Sequence, residues 1–169
     1  MTDVEWLDER EAEAWQAVRD LGQPLWTALG RDLQRDSGLS MADYQVLVVL
    51  SAQPGGALAY RDLAAATDWE KSRLSHHITR MQQRDLVQRR ESDADGRSAT
   101  IVLLPAGRRA IERAAPGHVA SVRRVLIDRL TDEQVDVLAA IGRQVRRGLQ
   151  EQGIGTGADV DCGIARDRR

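Results

Sequence analysis

The chain has 169 residues, 42 % hydrophobic and 30 % charged, which suits one soluble globular unit with a real core and excludes a disordered or fibrous chain. Net charge is −2, yet Lys71, Arg73, Arg80, Arg84, Arg89 and Arg90 against the single acid Asp85 make the stretch 71–90 +5, leaving −7 for the rest. No apolar run approaches the roughly 20 residues of a membrane span, the acidic start Met1 to Asp20 predicts no signal peptide, and the lone Cys162 excludes an internal disulfide, so a cytoplasmic protein without a membrane partner is expected.

Thr2 and Glu5 have the spacing of a capping box, which predicts a helix start there. Val4, Leu7, Ala14, Trp15, Val18 and Leu21 then recur on one face, with Trp6 off it. Gly22 and Pro24 are expected to interrupt this helix. Pro24 opens a second stretch, with Leu25, Leu29 and Leu33 in one stripe ending near Gly38. Ser40 and Asp43 mark another start. Met41 to Ala52 is apolar almost all round, which predicts a buried helix. Gln53-Pro-Gly-Gly56 reads as a loop.

A short helix follows over Arg61 to Thr67, and a second over Glu70 to Arg84 with a narrow apolar stripe of Leu74, Ile78 and Met81. Val87 to Glu91 and Ala99 to Leu104 read as two strands around Asp95-Gly96, a strong hairpin-turn pair. Pro105 suits the first position of a helix, which Pro116-Gly117 should kink or break. Val119, Val122, Leu126 and Leu130 share a face. Thr131 and Gln134 form another capping box, and Val135, Leu138, Ile141, Val145 and Leu149 make a last stripe. From Gln150 onward the sequence has no period and reads as a flexible tail, 150–169.

Two helices with a tight turn between them, the second basic on its outer face, make a helix-turn-helix; a hairpin directly behind them makes a wing. On a helical wheel Ser72, Arg73, His76, Thr79, Arg80 and Gln83 point away from the apolar stripe. Such a set can hydrogen-bond base edges in the major groove, with Arg73 suited to a guanine. Lys71, Ser75 and Arg80 suit phosphate contacts, which position a helix without reading sequence. A basic stripe on an acidic body is the charge pattern of a surface docked on nucleic acid.

The stretch from Tyr60 to Gly107 resembles the MarR family of bacterial regulators. The resemblance rests on Arg61-Asp-Leu-Ala-Ala65, Ser72-Arg-Leu-Ser-His-His-Ile-Thr-Arg-Met81, Leu86-Val-Gln-Arg89, Asp95-Gly-Arg97, and Leu103-Leu104 with Gly107. It implies that Arg97 enters the minor groove, held by Asp95, and that Arg61 joins the DNA-contacting set. Asp85 stands where the family usually has glycine, and Pro105 where threonine is common. Aspartate reaches the left-handed conformation at modest cost, so the turn should survive. The resemblance also implies an obligate homodimer, and the stripes at 4–21, 119–130 and 135–149 support it, being too many for a small winged unit to cover.

The expected fold is mostly α with a small β-hairpin wing: a winged helix-turn-helix over 40–105 and a helical dimerisation region from 1–36 and 106–149. His76 and His77 lie about 100° apart around a helix, which disfavours a shared metal ion. His77 reads as a boundary residue, Trp15 as core, and Trp69 as a brace for the turn before the second helix. Trp26 is the first candidate for an effector pocket, placed by the family's crevice between the dimer helices and the winged unit, and Tyr44, at the start of the buried helix, is the second. No phosphate-cradling loop, nucleophile motif or paired metal ligands stand out, so neither a catalytic set nor a cofactor is expected. The leading function is a repressor of a pseudopalindromic operator released by a small aromatic or phenolic ligand. The alternative is a winged-helix protein-interaction or dimerisation module without sequence-specific DNA binding, which the basic stripe and Arg97 argue against.

Overall fold

The computed structural model describes residues 4–91 and 99–154. Helix α1 runs from Glu9 to Ser37. Its start differs from the expected one at Thr2 and Glu5. The side chain of Asp8 accepts from the Glu11 N–H and Glu11 returns the bond, a capping box with the acids Glu9 and Glu11 in the positive first turn. The expected interruption at Gly22 and Pro24 does not occur. Pro24 removes one backbone bond, but the good helix formers on either side, among them Ala17, Arg19, Leu21, Gln23 and Leu25, carry the helix through. It ends at Gly38 in the left-handed conformation, whose N–H bonds the Gln34 carbonyl.

Ser40 and Asp43 cap α2, Met41–Ser51, which buries Val46 to Leu50 entirely, as its all-round apolar pattern requires. After a 3-10 turn at Pro54–Gly56 comes a short strand absent from the sequence reading, β1, Ala57–Ala59. Helices α3, Tyr60–Thr67, and α4, Lys71–Gln82, follow, then β2, Val87–Glu91, and β3, Ala99–Leu103. The sheet order is β1-β3-β2, all antiparallel, with Ala57 opposite Val102 and Val87 opposite Leu103. The core lies where α2, α3, α4 and the sheet meet; Leu47, Leu50, Leu63, Leu74, Ile78, Met81 and Ile101 are among its fully buried members.

Helix α5, Pro105–Val125, opens with proline at its first position as expected. It is not broken at Pro116-Gly117, both exposed, because its opposite side buries Ile111, Ala114, His118 and Ser121. The Asp32 carboxylate ties α1 to α5: it accepts from Ser121 Oγ at 3.0 Å and from Arg124, and pairs with Arg35 at 2.7 Å. These bonds hold its pKa below the ordinary carboxylate value. The chain then turns through a 3-10 segment, Ile127–Arg129, into α6, Asp132–Glu151, capped by Thr131 and Gln134. Residue 150, expected in the tail, is still helical. Helix α6 buries no residue within one chain. Among the described residues no helix is long and apolar enough to cross a membrane.

Candidate nucleic-acid interface

Helix α3 and helix α4 are joined by a tight turn. Asp68 takes the left-handed conformation, φ 55°, and the Trp69 N–H bonds the Ala64 carbonyl at 3.1 Å. Buried Thr67 returns its hydroxyl to the Leu63 carbonyl at 2.8 Å, while Gln45 of α2 donates to the Thr67 carbonyl. The Tyr60 hydroxyl donates to the Lys71 carbonyl, so the first residue of α3 pins the first turn of α4. Leu74, Ile78 and Met81 face inward, as the narrow stripe predicts.

The opposite face of α4 is open. Lys71, Ser72, Arg73, His76 and Arg80 are exposed, and Ser75 is half-buried. Thr79 is exposed, but its hydroxyl donates to the Ser75 carbonyl, so only its acceptor side is free for base reading. Arg61 is exposed at the start of α3, close to Asp62, an ion pair in water that costs little to exchange for a phosphate. The structure thus gathers Arg61, Lys71, Ser72, Arg73, His76 and Arg80 on solvent-facing turns of the two motif helices. Asp95 and Arg97 lie outside the described residues, as does Cys162.

Behind α4 the chain reverses at Asp85, φ 54°, where aspartate replaces the expected glycine and the turn survives. The reversal lets the Leu86 N–H reach the Met81 carbonyl at 3.0 Å and starts the wing. On β2, Arg89 sits over the Tyr60 ring at 5.3 Å. Arg89 is therefore a further cation beside the motif; the basic stripe was its only signal in the sequence.

Three positions depart from the sequence reading. Arg84, counted in the stripe, turns toward the body: it bonds Asp43 at 2.8 Å and the Gly38 carbonyl at 3.0 Å, tying the turn after α4 to the end of α1 and to α2. His77 is not a boundary residue but 5 % exposed, with its ring 5.2 Å from that of buried Trp69. Trp15, expected in the core, is 56 % exposed within one chain. The two effector candidates have opposite surroundings. Trp26 is 61 % exposed on α1, whereas Tyr44 is buried with its ring 4.5 Å from His118. His118 lines a small cleft between α1 and α5 with Asp32, Asp36 and Arg113; burial pushes its pKa down and favours the neutral ring.

The MarR family model matches residues 37–98, which span the two motif helices and the first wing strand. No curated protein matches the chain significantly. Among solved structures, AbsC from Streptomyces coelicolor, a MarR family transcriptional regulator, is 39 % identical, covers 88 % of this chain and 99 % of its own, and superposes with a TM-score of 0.82. Sco3205 from the same organism, solved in complex with DNA, is 36 % identical over 87 % of this chain and 92 % of its own, with a TM-score of 0.82. Bordetella bronchiseptica BpsR, whose DNA binding is regulated by 6-hydroxynicotinic acid, shares the fold at 22 % identity over 79 % of this chain and 98 % of its own, with a TM-score of 0.70. With this identity to AbsC over 88 % of its length, the chain belongs to the MarR family of DNA-binding transcriptional regulators.

Proposed function

We propose that the protein is a homodimeric repressor that sits on a pseudopalindromic operator and is released by a small aromatic or phenolic ligand. The observation that carries the dimer is the bare face of α6. Val137, Leu138, Ile141 and Val145 stand exposed there, and Trp15, Val18 and Leu21 stand exposed on α1. An apolar surface of this extent on two long helices is ordinarily covered by a partner. A second copy is the occupant that the family likeness supports, and a two-fold pair of α4 helices fits successive major grooves, roughly 34 Å apart, in the DNA-bound state. On this reading 1–36 and 106–149 form the dimerisation region, 40–105 the DNA-binding unit and 150–169 a tail.

Arg61, Lys71, Ser72, Arg73, Ser75, His76 and Arg80 carry the DNA contacts, with Arg97 and Asp95 in the wing. Ligand release is supported by the relation of BpsR to 6-hydroxynicotinic acid. A ligand acts only if it binds the DNA-incompetent spacing of the two α4 helices more tightly. The test is selection of bound duplexes from random DNA, followed by transcription from a promoter carrying the selected site, with and without a panel of phenols and aromatic acids. A two-fold symmetric site, repression, and relief by a panel member are expected. An asymmetric site or transcription activated by the protein rejects the repressor reading.

A further inference from the structure

Beneath the exposed face of α4 lies a chain of contacts that the DNA-binding reading does not use. Arg80 donates from Nη2 to His77 Nδ1 at 2.9 Å. A guanidinium has donors only, so Nδ1 must accept, and the proton of the neutral ring sits on Nε2. That nitrogen faces Asp43 Oδ1 of α2 at 3.1 Å, within ion-pair range although off the line of a well-aligned hydrogen bond. Asp43 in turn cannot swing away. Its other oxygen is held by the Ser40 N–H at 2.9 Å and by Arg84 Nη1 at 2.8 Å. The Trp69 ring stands nearly perpendicular to that of His77 and closes a further side of it, and Arg73 stacks over Trp69 at 4.4 Å.

We propose that His77 is a positioning residue for DNA binding: its Nδ1 acceptor holds the Arg80 guanidinium in place on the outer face of α4, and Asp43 fixes the ring that does so. The inference rests on the reading of Arg80 as a DNA contact. A free arginine loses rotamer freedom when it meets a phosphate, whereas one already held keeps four N–H donors for the ligand and loses less. The buried ring is the means by which α2 sets the geometry of an exposed cation on α4. Trp69 does the same for Arg73 through its ring face.

The experiment compares His77→Asn and His77→Gln, each alone and with Arg80→Ala, by fluorescence anisotropy on a duplex that the parent protein selects from random DNA. Asparagine places an oxygen near Nδ1 and keeps the acceptor; glutamine reaches toward Asp43 and loses it. Arg80→Ala and His77→Gln should each weaken binding about tenfold, the size of one charged hydrogen bond. In the Arg80→Ala background His77→Gln should add nothing, and His77→Asn should stay within about twofold of the parent.

Equal losses for both His77 variants that persist without Arg80 would show a structural role only and overturn the proposal. So would parent-like binding of His77→Gln while Arg80→Ala binds weakly. Parent-like binding of Arg80→Ala instead rejects the DNA role of Arg80 itself. A measurement on the unaltered protein stands beside these variants: nitrogen NMR of labelled histidine should show the proton of His77 on Nε2, and a proton on Nδ1 overturns the proposal.

Discussion

Gly107 and the Leu86 carbonyl are in contact so close that a Cβ on residue 107 would lie 2.1 Å from the Leu86 oxygen. The same oxygen accepts from the Leu104 N–H at 3.0 Å, so the backbone that would have to yield is already held. The first turn of α5 therefore packs directly on the residue that begins the wing. Gly107→Ala should destabilise the fold by about 3 kcal/mol, the upper range of overpacking penalties, because backbone rather than a flexible side chain stands in the way. A urea midpoint unchanged from the parent would contradict this.

Asp85 carries a related cost that can be recovered. At φ 54° it sits where glycine pays no steric penalty. Asp85→Gly is expected to be neutral or slightly stabilising, and Asp85→Ile to cost about 1–2 kcal/mol. Thermal melts of the two variants check the order; an isoleucine variant as stable as the parent contradicts it.

Asp43 makes stability depend on pH. Burial raises its pKa, but the nearby His77 ring and the hydrogen bonds from Arg84 and Ser40 outweigh that and leave the carboxyl below the ordinary range. A folded-state pKa lower than the unfolded one contributes stability that is complete above the unfolded value, about 3.9, and lost as pH falls toward the folded value. Asp43→Asn should therefore be less stable than the parent by about 3 kcal/mol at neutral pH, as for a broken buried pair. The gap should close in acid. Melting curves across a pH series measure it, and a gap that widens below pH 4 has the wrong sign.

The exposed face of α6 supplies the test of assembly. Ile141 and Val145 stand one helical turn apart and both are exposed within one chain. Ile141→Asp with Val145→Asp should weaken self-association by about a hundredfold or more, since two uncompensated charges would enter an apolar interface. Sedimentation velocity reads the result. A parent protein that is monomeric at micromolar concentration rejects the dimer.

The wing is expected to act through Arg97. An arginine in a narrow minor groove meets enhanced negative potential, whereas an arginine in water adds little to folding. Arg97→Ala should leave the melting temperature nearly unchanged, weaken duplex binding, and flatten its dependence on salt because fewer counterions are released. Asp95→Ala should show a milder form of the same defect. Binding equal to the parent at every salt concentration removes Arg97 from the site.

Most of the site was legible as local pattern. The period of Leu74, Ile78 and Met81 assigned one side of α4 to the core and so exposed Arg73, His76 and Arg80 on the other, because helix geometry alone relates these positions. The all-round apolar α2, proline at the start of α5, the Thr131–Gln134 cap and the survival of the turn at Asp85 are of the same kind: each depends on residues within a few positions.

Tertiary packing decided the rest. Proline at 24 and at 116 is a strong local stop, yet both helices continue, α5 because buried contacts on its other side outweigh one lost backbone bond. Arg84 looked like one more cation of the stripe, but its partner Asp43 lies 41 residues away, and no local spacing reports that pairing. His77 looked like an edge residue beside His76. What buried it was Asp43 from α2 and Trp69 from the turn, groups that meet only once the helices have packed. Local sequence determined which side chains face outward; contacts between distant segments determined which of those cations are held and which are free.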